Sequence, residues 1–380
     1  MRRIFKNAKL YTGSTVLDGY TLVVQNGFIS SISASPKQQL VDWEGTKNSV
    51  DLLEYDCKGK SISPAFIDLQ TYGANGRLLN NERTPELLTE THRHNLQGGT
   101  TRYQITLSTH SEAVMHESIA LVATALKAEE PGLLGLHLEG PFINPVKRGA
   151  HLTEYIQTPT LDLLKRLEQR AMSAVTMLTV APEYLDDEMA AFLSDTGWAI
   201  SAGHSDAAYD QAVKGFENGI TACTHLYNAM SPLTSRAPGL TGAAFNHKTA
   251  MASIIADGVH CDFASLAIAK KIMGDRLYLI TDAVTACPTG PYAFFQGDNC
   301  FVNAEGTLSG SALSMIQAVK NCVLYGGIPL DEALRMASTY PAKLIGRKDL
   351  GILKPGARAD LLVFDDRLNL EEVFYEGEPV

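Results

Sequence analysis

No two of the six cysteines are spaced as CxxC: Cys57, Cys223, Cys261, Cys287, Cys300 and Cys322 are scattered along 380 residues. A thiolate zinc site and a disulfide framework therefore have no support, and reduced thiols are expected. Nowhere do about 18 apolar residues run together, and no apolar stretch of signal-peptide length follows the charged start at 1–10. The sequence thus predicts a soluble, cytoplasmic chain with no membrane partner. Basic residues are also scarce. With 32 Lys+Arg against 42 Asp+Glu, the formal charge is −10 and no Lys/Arg run concentrates the positive charge, which argues against nucleic acid as a partner. A small anionic substrate stays compatible, because a few local cations and backbone N–H groups can hold one phosphate.

What is present reads as a folded α/β chain. At 45% hydrophobic and 19% charged residues, a large core is available. Strand-like stretches occur at 3–10, 20–25 and 28–32, the last two separated by the hairpin signal Asn26-Gly27, and again at 360–364 and 372–375 behind Lys354-Pro355-Gly356. Strands at both ends predict a small β-sandwich domain assembled from residues 1–60 plus 349–380. Between them lie eight apolar, β-rich runs at 62–69, 101–107, 133–138, 174–180, 198–202, 220–226, 251–256 and 277–280, each followed by a helical pattern. Eight such repeats predict a (β/α)8 TIM barrel over 61–348. An open doubly wound sheet is the alternative, but no GxGxxG follows the first strand.

In such a barrel the working groups sit at the C-terminal ends of strands. Four runs end in groups able to bind metal or move protons: the third at Glu139, the fifth at His204, the sixth at His225 and the eighth at Asp282. One carboxylate and two imidazoles from separate strands form a familiar catalytic metal set, with Asp282 placed to take a proton from water. Singly, each has a plainer explanation: a strand-end histidine is often structural, and Glu139 beside Gly140-Pro141 suits a helix cap. Their joint placement is what argues for chemistry. His137 shares the Glu139 face by period-two alternation and reads equally as ligand neighbour or structural residue. His92 and His94 fall in a helix pattern at 85–97 and are expected in solvent; His110, His116 and His247 hold no strand-end position.

With these residues on the page, the chain resembles the amidohydrolase superfamily and, within it, the branch that deacetylates N-acetylglucosamine 6-phosphate. The resemblance spans nearly the whole length. It rests on His137-Leu138-Glu139-Gly140-Pro141, Ser201-Ala202-Gly203-His204-Ser205, Thr224-His225-Leu226-Tyr227-Asn228-Ala229-Met230, Asp257-Gly258-Val259-His260 and Thr307-Leu308-Ser309-Gly310-Ser311. It implies hydrolysis of the substrate's acetamide to glucosamine 6-phosphate and acetate. It also implies Glu139, His204 and His225 as metal ligands and Asp282 as general base and acid. By the same route His260 and His151 contact the sugar or the acetyl carbonyl, Asn228, Ala229 and Arg236 the phosphate, and Ala150, Leu308, Ser309 and Gly310 the sugar and its acetyl group. In relatives the arginine comes from a neighbouring subunit, which implies a homodimer with Arg236 crossing between active sites.

One departure bears on the cofactor. Gln70 and Tyr72 stand where the superfamily commonly carries HxH, and Val180-Ala181-Pro182-Glu183 lacks the lysine that bridges two metals. One divalent ion per subunit is expected, zinc first, with iron or another transition metal as alternatives. Two rival readings remain: a deacetylase for the galacto epimer, and a phosphosugar-binding sensor without catalysis.

Overall fold

The computed structural model describes residues 1–34 and 52–380. Both ends of the chain contribute to one eight-stranded sheet. Arg2–Tyr11, Val16–Gln25 and Phe28–Ser33 run antiparallel in sequence, and the Asn26-Gly27 turn carries positive φ at both positions (51° and 81°), as a tight hairpin requires. Leu52–Asp56 pairs parallel with the first half of Arg2–Tyr11 and Ser61–Pro64 with its second half. From the far end come Leu361–Phe364, Leu370–Tyr375 and Glu378–Pro379. This sheet encloses its own core of Phe5, Leu22, Ile29, Leu361 and Phe374, and forms the small β-sandwich expected from the two termini.

The remainder is a (β/α)8 barrel. Its strands are β1 (Phe66–Thr71), β2 (Thr100–Ser108), β3 (Leu133–Glu139), β4 (Val175–Val180), β5 (Ala199–Ala202), β6 (Ala222–Cys223), β7 (Met251–Ile254) and β8 (Leu277–Leu279), parallel and hydrogen-bonded in chain order. Every residue of β1 and β2 is buried, as covering by helices outside and packed side chains inside demands. The run at 62–69 is split: Ser61–Pro64 pairs with Leu361–Phe364 in the terminal sheet, and the barrel starts only at Phe66. The run at 220–226 gives just two residues to the ladder, because the chain turns to positive φ at His225 and Tyr227.

Between β8 and β1 there is no ladder, yet the barrel is stitched there. Thr71 bridges Ala283, the Asp282 N–H donates to the Gln70 carbonyl at 3.0 Å, and the Tyr72 N–H donates to the Ala283 carbonyl at 3.0 Å. Buried Asp68 accepts from the Gln70 and Thr281 N–H groups, each at 3.2 Å. Beyond β8, three short antiparallel strands (Phe295–Gln296, Cys300–Val302 and Leu308–Ser311) fold back, and Ser311 bridges Ala283 beside the barrel mouth. Barrel and terminal sheet are joined by buried Arg102 of β2, which donates to Asp360 at 2.7 Å, to Glu376 at 2.9 Å and to the Tyr375 hydroxyl at 3.0 Å. No helix among the described residues is long and apolar enough to cross a membrane.

The helix Pro85–Gln97 starts as its sequence suggests, with Thr84 accepting from the Leu87 N–H and Pro85 at the first helical position. His94 is exposed, but His92 is buried, contrary to expectation; its ring stacks on Tyr103 and meets Tyr375 edge-on at 5.3 Å. Tyr375, at the end of Leu370–Tyr375, covers a ring that looks solvent-facing in sequence. Burial, and then the nearby Arg102 charge, lower the His92 pKa to about 4. With a depressed folded pKa, neutral His92 contributes stability that is complete above the unfolded value and lost as pH falls toward 4. His92→Phe should flatten the fall in unfolding free energy between pH 6.5 and 4 by up to about 1.4 kcal/mol per pH unit. Urea titrations at several pH values read this directly, and an unchanged slope would refute it.

Candidate metal-dependent active site

At the C-terminal mouth of the barrel lies a cavity of about 290 Å³, lined by Glu139, His151, His204, His225, His260 and Asp282 among others. Glu139 ends β3, while His204, His225 and Asp282 follow β5, β6 and β8 within three residues. The last three have positive φ, at 47°, 35° and 54°. For side chains with a Cβ this left-handed backbone is disfavoured by about 1–3 kcal/mol each, and such strain clusters at working sites. Here it turns each strand end so that the side chain points into the mouth.

Glu139 is the hub. Its Oε1 lies 3.1 Å from His225 Nε2 and 3.4 Å from His204 Nε2, and its Oε2 lies 3.2 Å from His151 Nε2. Which imidazoles can take a metal follows from their other nitrogens. His204 Nδ1 sits 2.9 Å from the Lys147 carbonyl, which can only accept, so Nδ1 carries the proton and Nε2 presents a lone pair. His151 is reversed: the Thr109 N–H donates to its Nδ1 at 3.1 Å, leaving the proton on Nε2. Glu139, His151 and His204 have ligand-capable atoms within 4.8 Å of one another, but this tautomer makes His151 a donor. His225 Nε2 lies 3.1 Å from His204 Nε2. Two imidazole nitrogens that close cannot both aim lone pairs at each other without a shared proton or cation. Glu139, His204 and His225 therefore fit one divalent transition metal.

Burial would raise the Glu139 carboxyl, but the three imidazoles set against it, His151, His204 and His225, outweigh it and hold the group well below the usual range. Asp282 moves the other way: burial first, then the charge of Glu139, push it up. Two carboxylates in one cavity are thus driven apart, one fixed as an anion and one more ready to hold a proton. Burial and then the neighbouring His204 lower His151 to about 4, so it stays neutral. On the far wall, His260 Nδ1 donates to Asp257 Oδ2 at 2.6 Å, and Asp257 Oδ1 accepts the backbone N–H groups of Val259 and His260. That pairing leaves His260 Nε2 as the free ring nitrogen.

A model of the amidohydrolase family matches residues 61–380. The chain belongs to the amidohydrolase family. This amidohydrolase is 32% identical over 375 residues to the N-acetylglucosamine-6-phosphate deacetylase of Haemophilus influenzae, covering 96% of this chain and 95% of that one. It is also 32% identical over 386 residues to the N-acetylgalactosamine-6-phosphate deacetylase of Shewanella sp. (strain ANA-3), covering 99% and 95%. Its fold is similar to the crystal structure of N-acetylglucosamine-6-phosphate deacetylase from Pasteurella multocida, with TM-score 0.91, 33% identity and all of both chains covered.

Of the amidohydrolase's other expected contacts, Ala150, Asn228, Ala229, Leu308, Ser309 and Gly310 line the same cavity. Gly310 has φ 145°, and a Cβ there would lie 2.8 Å from Val284 and 3.1 Å from the Asp282 carbonyl, so only glycine lets this strand lie against Asp282. Arg236 is exposed and is not among the residues lining its own chain's cavity. His137 lies in the barrel interior, with Nε2 2.8 Å from the Thr179 hydroxyl. Sequence reasoning missed four contributors. Asp257 stood in a quoted motif three residues before His260, a spacing that could have exposed the pairing. Glu183 accepts from Ser205 Oγ and the Asp206 N–H, bracing the turn after His204. Gln70 and Tyr72 reach the carboxylates directly.

Proposed function

We propose that this amidohydrolase hydrolyses the acetamide of N-acetyl-D-glucosamine 6-phosphate to D-glucosamine 6-phosphate and acetate, in cytoplasmic amino-sugar catabolism. One observation carries the reading: Glu139, His204, His225 and Asp282, delivered by four barrel strands, meet in one cavity. A divalent cation held by Glu139, His204 and His225, one per subunit and zinc first among the candidates, supplies the Lewis acidity that makes water a nucleophile near neutral pH. The remaining work falls to side chains. Asp282 accepts a proton from the water as it adds to the amide carbon. His260, in the form that carries a proton on each ring nitrogen, gives one N–H to Asp257 and offers the other, on Nε2, to the carbonyl oxygen as charge grows there, while His151 lies against the bound sugar. Asp282 then passes its proton to the departing nitrogen, so that an amine leaves rather than an amide anion.

Ala150, Leu308, Ser309 and Gly310 form the wall for the sugar and its acetyl group, and Asn228 and Ala229 lie toward the phosphate. Arg236, exposed at 236, is proposed to reach the phosphate of a neighbouring subunit with its planar fork, making the enzyme a homodimer. The test is acetate release from N-acetylglucosamine 6-phosphate before chelation, after it and after zinc is restored. Activity should vanish with the metal and return with it; no acetate under any condition would favour a sugar-binding sensor. The relative that acts on the galacto epimer supports a second reading. Comparing kcat/KM on the two epimers decides between them.

A further inference from the structure

Two buried carboxylates that share a cavity repel each other, and their approach needs something between them. Here that something is neutral. Gln70 Nε2 lies 2.8 Å from Glu139 Oε1 and 2.7 Å from Asp282 Oδ1. The Tyr72 hydroxyl donates to Glu139 Oε2 and sits 3.3 Å from Asp282 Oδ1. An amide nitrogen has two protons, and although Tyr72 Oη is also within 2.8 Å, bonds to the charged acceptors are the stronger ones. Gln70 therefore spends one proton on each carboxylate, and Tyr72 adds a third donor. A phenol carries a single proton, and this contact gives it to Glu139.

The bridge is itself rigidly mounted. The Gln70 carbonyl accepts the Asp282 N–H, the Tyr72 N–H donates to the Ala283 carbonyl, and the Gln70 N–H is held by Asp68. The segment that fixes the backbone of Asp282 also fixes its side chain. The Tyr72 ring packs with Leu78, Val284 and Tyr292, which leaves the hydroxyl little freedom to turn.

We infer that Gln70 and Tyr72 are positioning residues for the deacetylation, forming an uncharged hydrogen-bonded bridge that holds the ligand carboxylate Glu139 and the base Asp282 in register. This rests on the proposed function for its substrate but not for its metal arm. Tyr72→Phe and Gln70→Met each remove donors while keeping shape. Zinc affinity, measured by competition with a chromophoric chelator and no substrate present, should fall about 10–100-fold in each variant. On N-acetylglucosamine 6-phosphate, kcat should fall by a similar factor while KM stays within about threefold. Thermal unfolding of the metal-free chains, compared with the parent, identifies any variant that fails to fold, in which case the other decides. Zinc affinity within threefold of the parent in a folded variant overturns the bridge. A parent enzyme without acetamide activity overturns the proposed function instead, and leaves the zinc measurement to judge the bridge alone.

Discussion

Replacing Asp282 with Asn should lower kcat on N-acetylglucosamine 6-phosphate by about 10²–10⁴-fold, the usual range for loss of a positioned general acid and base. The substitution is geometrically mild. Asp282 Oδ1 accepts from Gln70 at 2.7 Å, and an amide oxygen can accept the same bond, so the cavity keeps its shape. Only the capacity to take and return a proton is lost. Because the proposed metal set lies on Glu139, His204 and His225, zinc content should equal that of the parent. KM should change little, since the effect falls on the transition state rather than on ground-state binding. Acetate release and plasma mass spectrometry on one preparation test both parts. Near-normal turnover would remove Asp282 from its assigned role, and zinc loss would move it into the ligand set.

Substituting Glu139 with Gln should act at an earlier stage. Glu139 is only 2% exposed and is contacted by three imidazoles, Gln70 and Tyr72, so it carries the one fixed anionic charge of the proposed ligand set. Gln keeps the volume and one acceptor but offsets none of the cation's charge. Zinc affinity should fall by at least about 10²-fold, beyond what outer-sphere contacts cost, and acetate release should drop to background in dialysed protein. Far-ultraviolet circular dichroism should be unchanged, because the barrel strands are joined by main-chain hydrogen bonds that do not involve this side chain. A variant that retains stoichiometric zinc after dialysis would point to His151 as the third ligand despite its tautomer.

Much of this site could be read from the chain itself, and the reason is geometric. A parallel barrel places every strand end on one face, so Glu139, His204, His225 and Asp282 could be grouped without knowing a single distance. What could not be read depends on contacts between segments far apart in sequence. Gln70 lies 69 positions from Glu139 and 212 from Asp282, and no local pattern announces that one amide will touch both. His92 was misjudged for the same reason, since the ring that covers it belongs to Tyr375 in the closing strands. The split of the run at 62–69 had a different cause. Both halves are apolar and extended, so periodicity cannot tell that the chain passes from one sheet to another at Pro64-Ala65.

The left-handed turns at His204, His225 and Asp282 set folding and chemistry against each other. Glycine is the residue that such a backbone favours, yet glycine carries neither imidazole nor carboxylate. A library selected solely for heat resistance would enrich glycine at these three places, and under the proposed mechanism its most durable members would be inert. Durability screens on this scaffold must hold those codons constant.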